Sequence, residues 1–140
     1  METPGNSDML STGVDIIEIL RIRQILERYG ERFLDRIFTA DEIAYCRGRA
    51  PNLGARFAAK EATMKALGTG VRGVGWKDIE VVRQNSGAPG IKLHGRAKSR
   101  AQRLGIQEMA LSLSHSREYA VASVVAQSGV RPSNELFTKP

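Results

Sequence analysis

Arg56-Phe57-Ala58-Ala59-Lys60-Glu61-Ala62-Thr63-Met64-Lys65-Ala66-Leu67 runs into Gly68-Thr69-Gly70, and the rest of the chain is read outward from it. The spacing predicts a helix over about 55–67. Positions four apart are neighbours at 3.6 residues per turn, so 56, 60 and 64 share one edge and 61 and 65 a neighbouring one. Glu61 is a lone carboxylate in an alanine-rich stretch flanked by cations. Ala58, Ala59, Ala62 and Ala66 leave little bulk beside it, which points to close helix packing with the carboxylate in a cleft. A glycine-rich run follows, Gly68, Gly70, Gly73 and Gly75, where backbone can approach a ligand closely. One carboxylate, several cations and bare backbone together suit a metal-bound polyphosphate. A simple Glu61–Lys65 pair is the plainer reading, and it adds only ~0.2–0.5 kcal/mol.

Upstream, residues 1–10 read as a loose tail and Leu10 to Val14 as a short strand. A helix is expected from Asp15, with Ile16, Ile19, Ile22 and Leu26 at helical spacing. Asp15 and Glu18 are spaced as a capping box. Asp15 is equally a candidate metal ligand at a strand-to-helix junction, and one carboxylate can do both. Arg21, Arg28 and Arg32 fall at +7 and +4 steps, on a face turned away from the apolar stripe. Thr39 is a candidate N-cap with Asp41 and Glu42 in the next turn. Pro51-Asn52-Leu53-Gly54 reads as a break before the central helix.

Downstream, Trp76 to Arg83 reads as a strand, residues 85–90 as a turn and Ile91 to Leu93 as the return of a hairpin. Gly95 to Leu104 is a basic helix closed by Gly105. Met109 to Ser114 and Tyr119 to Ala126 alternate like half-buried strands, joined by the polar Ser114-His115-Ser116-Arg117-Glu118. The remainder, to Pro140, reads as a second tail. The expected organisation is a tail at 1–10, one domain at 11–127 and a tail at 128–140.

The bulk numbers bound the partners. The chain has 140 residues, 41% hydrophobic and 26% charged, enough for one domain with a core. No apolar run approaches the ~20 residues of a membrane helix, and the first ten residues lack the basic start and apolar stretch of a secretory signal. Cys46 is the only cysteine, which excludes an internal disulfide and fits a reducing cytoplasm. A net charge of +6 favours acidic partners. Aromatics make up 6% and none interleaves with a basic run, so a base-stacking nucleic-acid surface is not expected. No His/Cys cluster suits zinc. Two carboxylates with waters and phosphate oxygens suit Mg²⁺. Lys60, Lys65, Arg56 and Arg47 read singly as solvated; as a set beside the glycines they can neutralise phosphates. His115 between serines is either a satisfied loop residue or a phosphate contact.

Taken in order, Gly13-Val14-Asp15-Ile16, the Arg56 to Gly70 segment, Trp76-Lys77-Asp78-Ile79-Glu80-Val81, and Leu111-Ser112-Leu113-Ser114-His115-Ser116 with Tyr119-Ala120 resemble holo-acyl-carrier-protein synthase, the small bacterial 4′-phosphopantetheinyl transferase. The resemblance covers about residues 11–127. It implies an α+β domain, helices packed on a mainly antiparallel sheet, that forms homotrimers with sites between subunits. It implies Mg²⁺-dependent transfer of the 4′-phosphopantetheine arm of coenzyme A to a serine of an acidic apo acyl carrier protein. Adenosine 3′,5′-bisphosphate leaves, and fatty acid biosynthesis is served. By the same resemblance Asp15 and Glu61 fall on the metal ligands and Lys65 near the pyrophosphate. Arg47, Arg56 and His115, with Ser116 beside them, fall at the adenosine-3′-phosphate end. Gly68, Thr69 and Gly70 line the coenzyme A groove and Pro89 approaches the adenine. Arg21, Arg28 and Arg32 grip the carrier protein. A binding module for RNA or nucleotides without catalysis, or a structural or regulatory relative that binds coenzyme A without turnover, are the alternatives.

Overall fold

The structure, a computed structural model, describes residues 10–129. Its elements are β1 (Leu10–Glu18), α1 (Ile19–Tyr29), α2 (Glu31–Ile37), α3 (Ala40–Cys46), α4 (Ala50–Leu67), a 3-10 turn (Trp76–Asp78), β2 (Ile79–Arg83), β3 (Pro89–Leu93), α5 (Gly95–Leu104), β4 (Ile106–His115) and β5 (Tyr119–Ser128). Three strands form an antiparallel sheet in the order β1-β5-β4, and β2 and β3 form a separate hairpin. This is the expected α+β arrangement. The tails at 1–9 and 130–140 lie outside the described residues. Leu10 opens β1, as the short-strand reading expected, and pairs with Gln127; Ser128, read by sequence as the start of the second tail, is a strand residue paired with Ile106. No described helix is long and apolar enough to cross a membrane.

The largest difference from expectation is at Asp15. The strand does not stop at Val14 but runs on to Glu18, pairing Asp15 with Ala122 and Ile16 with Val121. β-branched Ile16 and Ile17 suit a strand, and a full ladder with β5 outweighs a local cap. The Asp15–Glu18 capping box therefore does not form. Glu18 is the N-cap of α1 and makes no side-chain cap bond. Ile19 and Ile22 are buried, whereas Ile16 and Leu20 are exposed. Gly30, at φ 54°, ends α1, so Arg32 sits on α2 rather than on the helix that carries Arg21 and Arg28. Trp76 to Asp78 forms a 3-10 turn ahead of β2 instead of its first residues. Pro51 does not break the central helix. It lies in the first turn of α4, where its missing N–H is not needed.

α4 lies across the inner face of the three-stranded sheet. Ala58, Ala59, Ala62 and Ala66 pack on Ala122 and Val124 of β5. The approach to β1 is closest at Gly13. A Cβ built there would lie 1.9 Å from the Ala62 carbonyl oxygen. Only a residue without a side chain fits between the strand and the helix backbone.

The opposite edge of α4 is held by buried charge. Lys60 is fully buried and its Nζ donates to Glu42 Oε1 (2.8 Å), Trp76 O (3.1 Å) and Ile79 O. Glu42 is the third residue of the Thr39 capping box, as the sequence indicated for the start of α3. Its Oε2 also accepts from Val81 N at 2.8 Å. Burial lowers the Lys60 pKa, against the opposing effect of the Glu42 carboxylate. One buried pair thus ties α3, α4 and β2. Cys46, the last residue of α3, is fully buried, and burial pushes its thiol pKa up.

The outer face of the sheet is apolar and uncovered in the single chain. Val14 is 58% exposed and Ile16 62%, and Tyr119 and Val125 are exposed on the neighbouring strand.

Gly13→Ala should destabilise the protein by about 3 kcal/mol, the upper range for overpacking, because backbone rather than a flexible side chain must move. Urea unfolding of the variant beside Gly54→Ala, whose added Cβ meets only side chains at 3.5 Å or more, measures the difference.

Candidate active site

The close approach at Gly13 has a consequence two residues on. Asp15 is on the same face of β1 as Gly13, and Glu61 precedes Ala62 on α4. Both acids line one cleft of about 540 Å³, with Glu18, Arg21, Phe57 and Tyr119 among the walls. Lys65 spans the same edge. Its Nζ donates to Val14 O at 2.9 Å and to Asp15 Oδ1 at 3.3 Å. The lysine is thus turned to Asp15, and no Glu61–Lys65 ion pair is among the recorded contacts of the described residues. Burial raises the Glu61 pKa first, and the Asp15 carboxylate raises it further; Lys65 and Arg21 oppose the shift. Two acids pressed together in this way favour a bound cation.

A second cleft, of about 210 Å³, lies on another side of α4. Residues 56 and 61 are five steps apart, about 140° around the helix. The second cleft is lined by Tyr45, Asn52, Arg56, Arg83, Pro89 and His115, among others. Arg56 is only 6% exposed, and its Nε has no hydrogen-bond partner. Its guanidinium carbon sits 4.3 Å from the centre of the Tyr45 ring. A desolvated guanidinium with a free donor beside a cleft is suited to an anion.

The predicted residues therefore divide into two groups. Asp15 and Glu61 share the first cleft with Arg21, with Lys65 held against Asp15 outside its lining, and Arg56, Pro89 and His115 share the second. Ser116 lies beside His115, and its hydroxyl accepts from Glu118 N and Tyr119 N. Arg47 is exposed at the C-cap of α3 with φ 51°, outside both linings. Gly68, with φ 72°, caps α4, and Thr69 N donates to Met64 O. The Thr69 hydroxyl is buried without a partner. Arg100 Nε donates to Leu67 O at 2.9 Å and steadies this turn. Arg28 is exposed on α1. Arg32 lines a separate groove of about 700 Å³ with Ile25, Phe33, Arg36, Phe57 and Trp76.

One prediction is overturned by geometry. Lys60, grouped by sequence with the phosphate-neutralising cations, is buried and committed to Glu42 and two carbonyls. It is unavailable to a ligand. Two residues escaped sequence reading, Tyr45 and Arg83. Arg83 was visible only as the last residue of a strand, and nothing local joins it to Tyr45, whose hydroxyl it meets across the fold.

The family model of the 4′-phosphopantetheinyl transferase superfamily matches residues 11–124. A holo-acyl-carrier-protein synthase from Koribacter versatilis is 51% identical over 123 residues, 85% of this chain and 98% of the relative. One from Herpetosiphon aurantiacus is 49% identical over 124 residues, 84% of this chain and 98% of the relative. Among solved structures, the Helicobacter pylori holo-acyl-carrier-protein synthase in complex with coenzyme A is similar at TM-score 0.76 and 32% identity, covering 83% of this chain and 99% of that one. With motifs, fold and identities in agreement, the chain belongs to the 4′-phosphopantetheinyl transferase superfamily and, within it, to the holo-acyl-carrier-protein synthase family.

Proposed function

We propose that this chain transfers the 4′-phosphopantetheine arm of coenzyme A to a serine hydroxyl of an acidic apo acyl carrier protein, releasing adenosine 3′,5′-bisphosphate. The observation that carries the reading is the meeting of Asp15 and Glu61, remote in sequence, in one cleft beside the Lys65 ammonium. The family's Mg²⁺ fits these residues. Like charges press on Glu61, and only two carboxylates are present; no cluster of three or more His, Cys, Asp or Glu occurs among the described residues. Water and phosphate oxygens must complete such a site, which suits an ion that keeps much of its hydration. When bound, the ion supplies charge neutralisation at the pyrophosphate.

In this reading Asp15 and Glu61 would hold that ion, and the diphosphate end of the donor lies at their cleft. Lys65, already donating to Asp15, offers its ammonium to charge developing on the phosphates. The serine oxygen forms a bond to the β-phosphorus, and the bridging P–O bond to the nucleotide breaks. The serine proton passes to a base that the sequence and the geometry leave among Glu61, Lys65 and water. Arg56, Pro89 and His115, with Ser116 beside His115 and Arg47 from the C-cap of α3, receive the adenosine-3′-phosphate end, and Gly68, Thr69 and Gly70 border the groove between. Arg21 and Arg28 on α1 and Arg32 on α2 face the acidic carrier protein, with Arg21 already at the cleft wall. The reading places the enzyme in the cytoplasm, in fatty acid biosynthesis.

Homotrimerisation belongs to the same proposal. The two clefts sit on different sides of α4 and share no lining residue. The uncovered Val14, Ile16 and Val125 give the sheet a face that a second copy can bury, bringing one chain's anion cleft to another's acids. Ile16→Asp should then yield a monomer by sedimentation equilibrium and abolish turnover; a trimer of full activity rejects the shared site.

Incubation with coenzyme A, Mg²⁺ and an apo carrier protein should add the mass of the arm to the carrier, and a chelator should prevent it. No mass shift with several cognate carriers rejects the transferase. Glu61→Gln should abolish transfer, about a hundredfold or more. Because it removes one of two mutually repelling acids, it should melt no lower than the parent at pH 8 without metal. Arg21→Glu with Arg28→Glu should raise the KM for the carrier, with little change in kcat, and the difference should shrink as salt is added. A salt-independent effect counts against docking by charge.

A further inference from the structure

The glycine-rich stretch after α4 is held at both ends by one helix, α5. Ala97 and Ala101 of α5 are buried in one cluster with Met64 and Leu67 of α4 and with Val74. Residues 96 and 100 precede those alanines by one step each. They lie four apart, so both arginines share an edge of α5 beside that contact. Arg100 Nε donates to Leu67 O at 2.9 Å. A Cβ built on Gly68 would lie 3.3 Å from Arg100 Nη2, so the guanidinium rests against the bare face of that residue. Arg96 Nη1 donates to Arg72 O at 3.4 Å. Between these two holds, Gly73 N donates to Gly70 O at 3.0 Å. Thr69 packs on Gly73 so closely that a Cβ there would lie 3.0 Å from the Thr69 Cβ.

The last carbonyls of a helix have no partner within it. Gly68 N and Thr69 N turn back to Lys65 O and Met64 O, and Leu67 O takes the Arg100 donor instead. A cation at that end also suits the helix dipole. The stretch needs such a hold. Leu67 and Val74 are buried, but Gly68 and residues 70–73 between them are exposed, so packing orders them little. Ordering a glycine-rich segment costs more conformational entropy than ordering most others. We infer that Arg100, with Arg96 in support, is a positioning residue for the donor: it holds the turn at 68–70 in the shape that receives the pantetheine arm of coenzyme A. This rests on the reading above, in which that turn borders the donor groove. Arg100 acts through the turn and need not touch the donor. A turn already ordered adds no ordering cost to binding, whereas a loosened one does, and the cost is read as weaker donor binding. Neither arginine lines the cleft of Asp15 and Glu61, so the chemical step on a bound donor does not depend on them.

The test is to titrate the parent and Arg100→Gln by calorimetry, with Mg²⁺ present, using two ligands. One is coenzyme A. The other is 3′-phosphoadenosine 5′-diphosphate, which keeps all the phosphates and lacks only the pantetheine arm. The affinity of Arg100→Gln for coenzyme A should fall about tenfold, and its affinity for the armless ligand should stay the same. In steady-state kinetics the KM for coenzyme A should rise, while kcat at saturating donor and the KM for the carrier stay unchanged. Arg100→Lys should recover part of the affinity. Arg96→Gln, at an exposed site with the longer bond, should show a smaller loss of the same kind, and it decides the matter if Arg100→Gln does not fold. An unchanged ratio of the two affinities in these variants overturns the inference and leaves the transferase reading intact. So does a lower melting temperature accompanied by equal losses for both ligands, which makes Arg100 a tie of the fold alone. Failure of the parent to bind coenzyme A overturns both readings.

Discussion

The contact on which the structure turns is between backbones, at Gly13 of β1 and Ala62 of α4. Strand and helix meet so closely there that no Cβ fits. The alanines of α4 and the small residues of β5 keep the rest of the interface thin. Close packing of this kind gains dispersion contacts over its whole length and tolerates little change of volume. It also fixes a distance. Asp15 and Glu61 are each within two residues of the contact, so the separation of the acids is set by the backbone and not by flexible side chains.

Lys60 and Glu61 show how one step along a helix separates two kinds of charge. Lys60 points into the fold, where Glu42 and two carbonyls satisfy its three donors, and a cation that would be costly alone becomes a tie between elements. Glu61 points into the cleft, where the nearest strong influence is another acid. The first residue holds α4 in place from behind while the second faces the open cleft. Identical residue types in exposed positions would do neither.

Much of this was legible in the sequence. The alanine pattern of α4, the Thr39 cap, the hairpin and the basic helix closed by Gly105 are local signals, and the structure contains them all. Asp15 was singled out beside Glu61, and the two do line one cleft, even though the local structure around Asp15 was misassigned. A capping-box spacing is a local cue, whereas the ladder to β5 is formed by residues a hundred positions away and leaves no mark near residue 15. Lys60 was misread for a related reason. In an i, i+4 pattern it is indistinguishable from a solvated lysine, and its burial depends on Glu42 and on the turn at Trp76 arriving from elsewhere. The pairing of Arg83 with Tyr45 is wholly tertiary. Sequence thus disclosed the residue types of the chemistry, and the fold decided which of them meet.

Cys46 carries a last consequence. Its sulfur is enclosed by the core at the end of α3, and burial disfavours the thiolate. Disulfide exchange needs an accessible thiolate. With its single cysteine sealed away, this chain can meet thiol- and disulfide-bearing molecules repeatedly without becoming covalently attached to them.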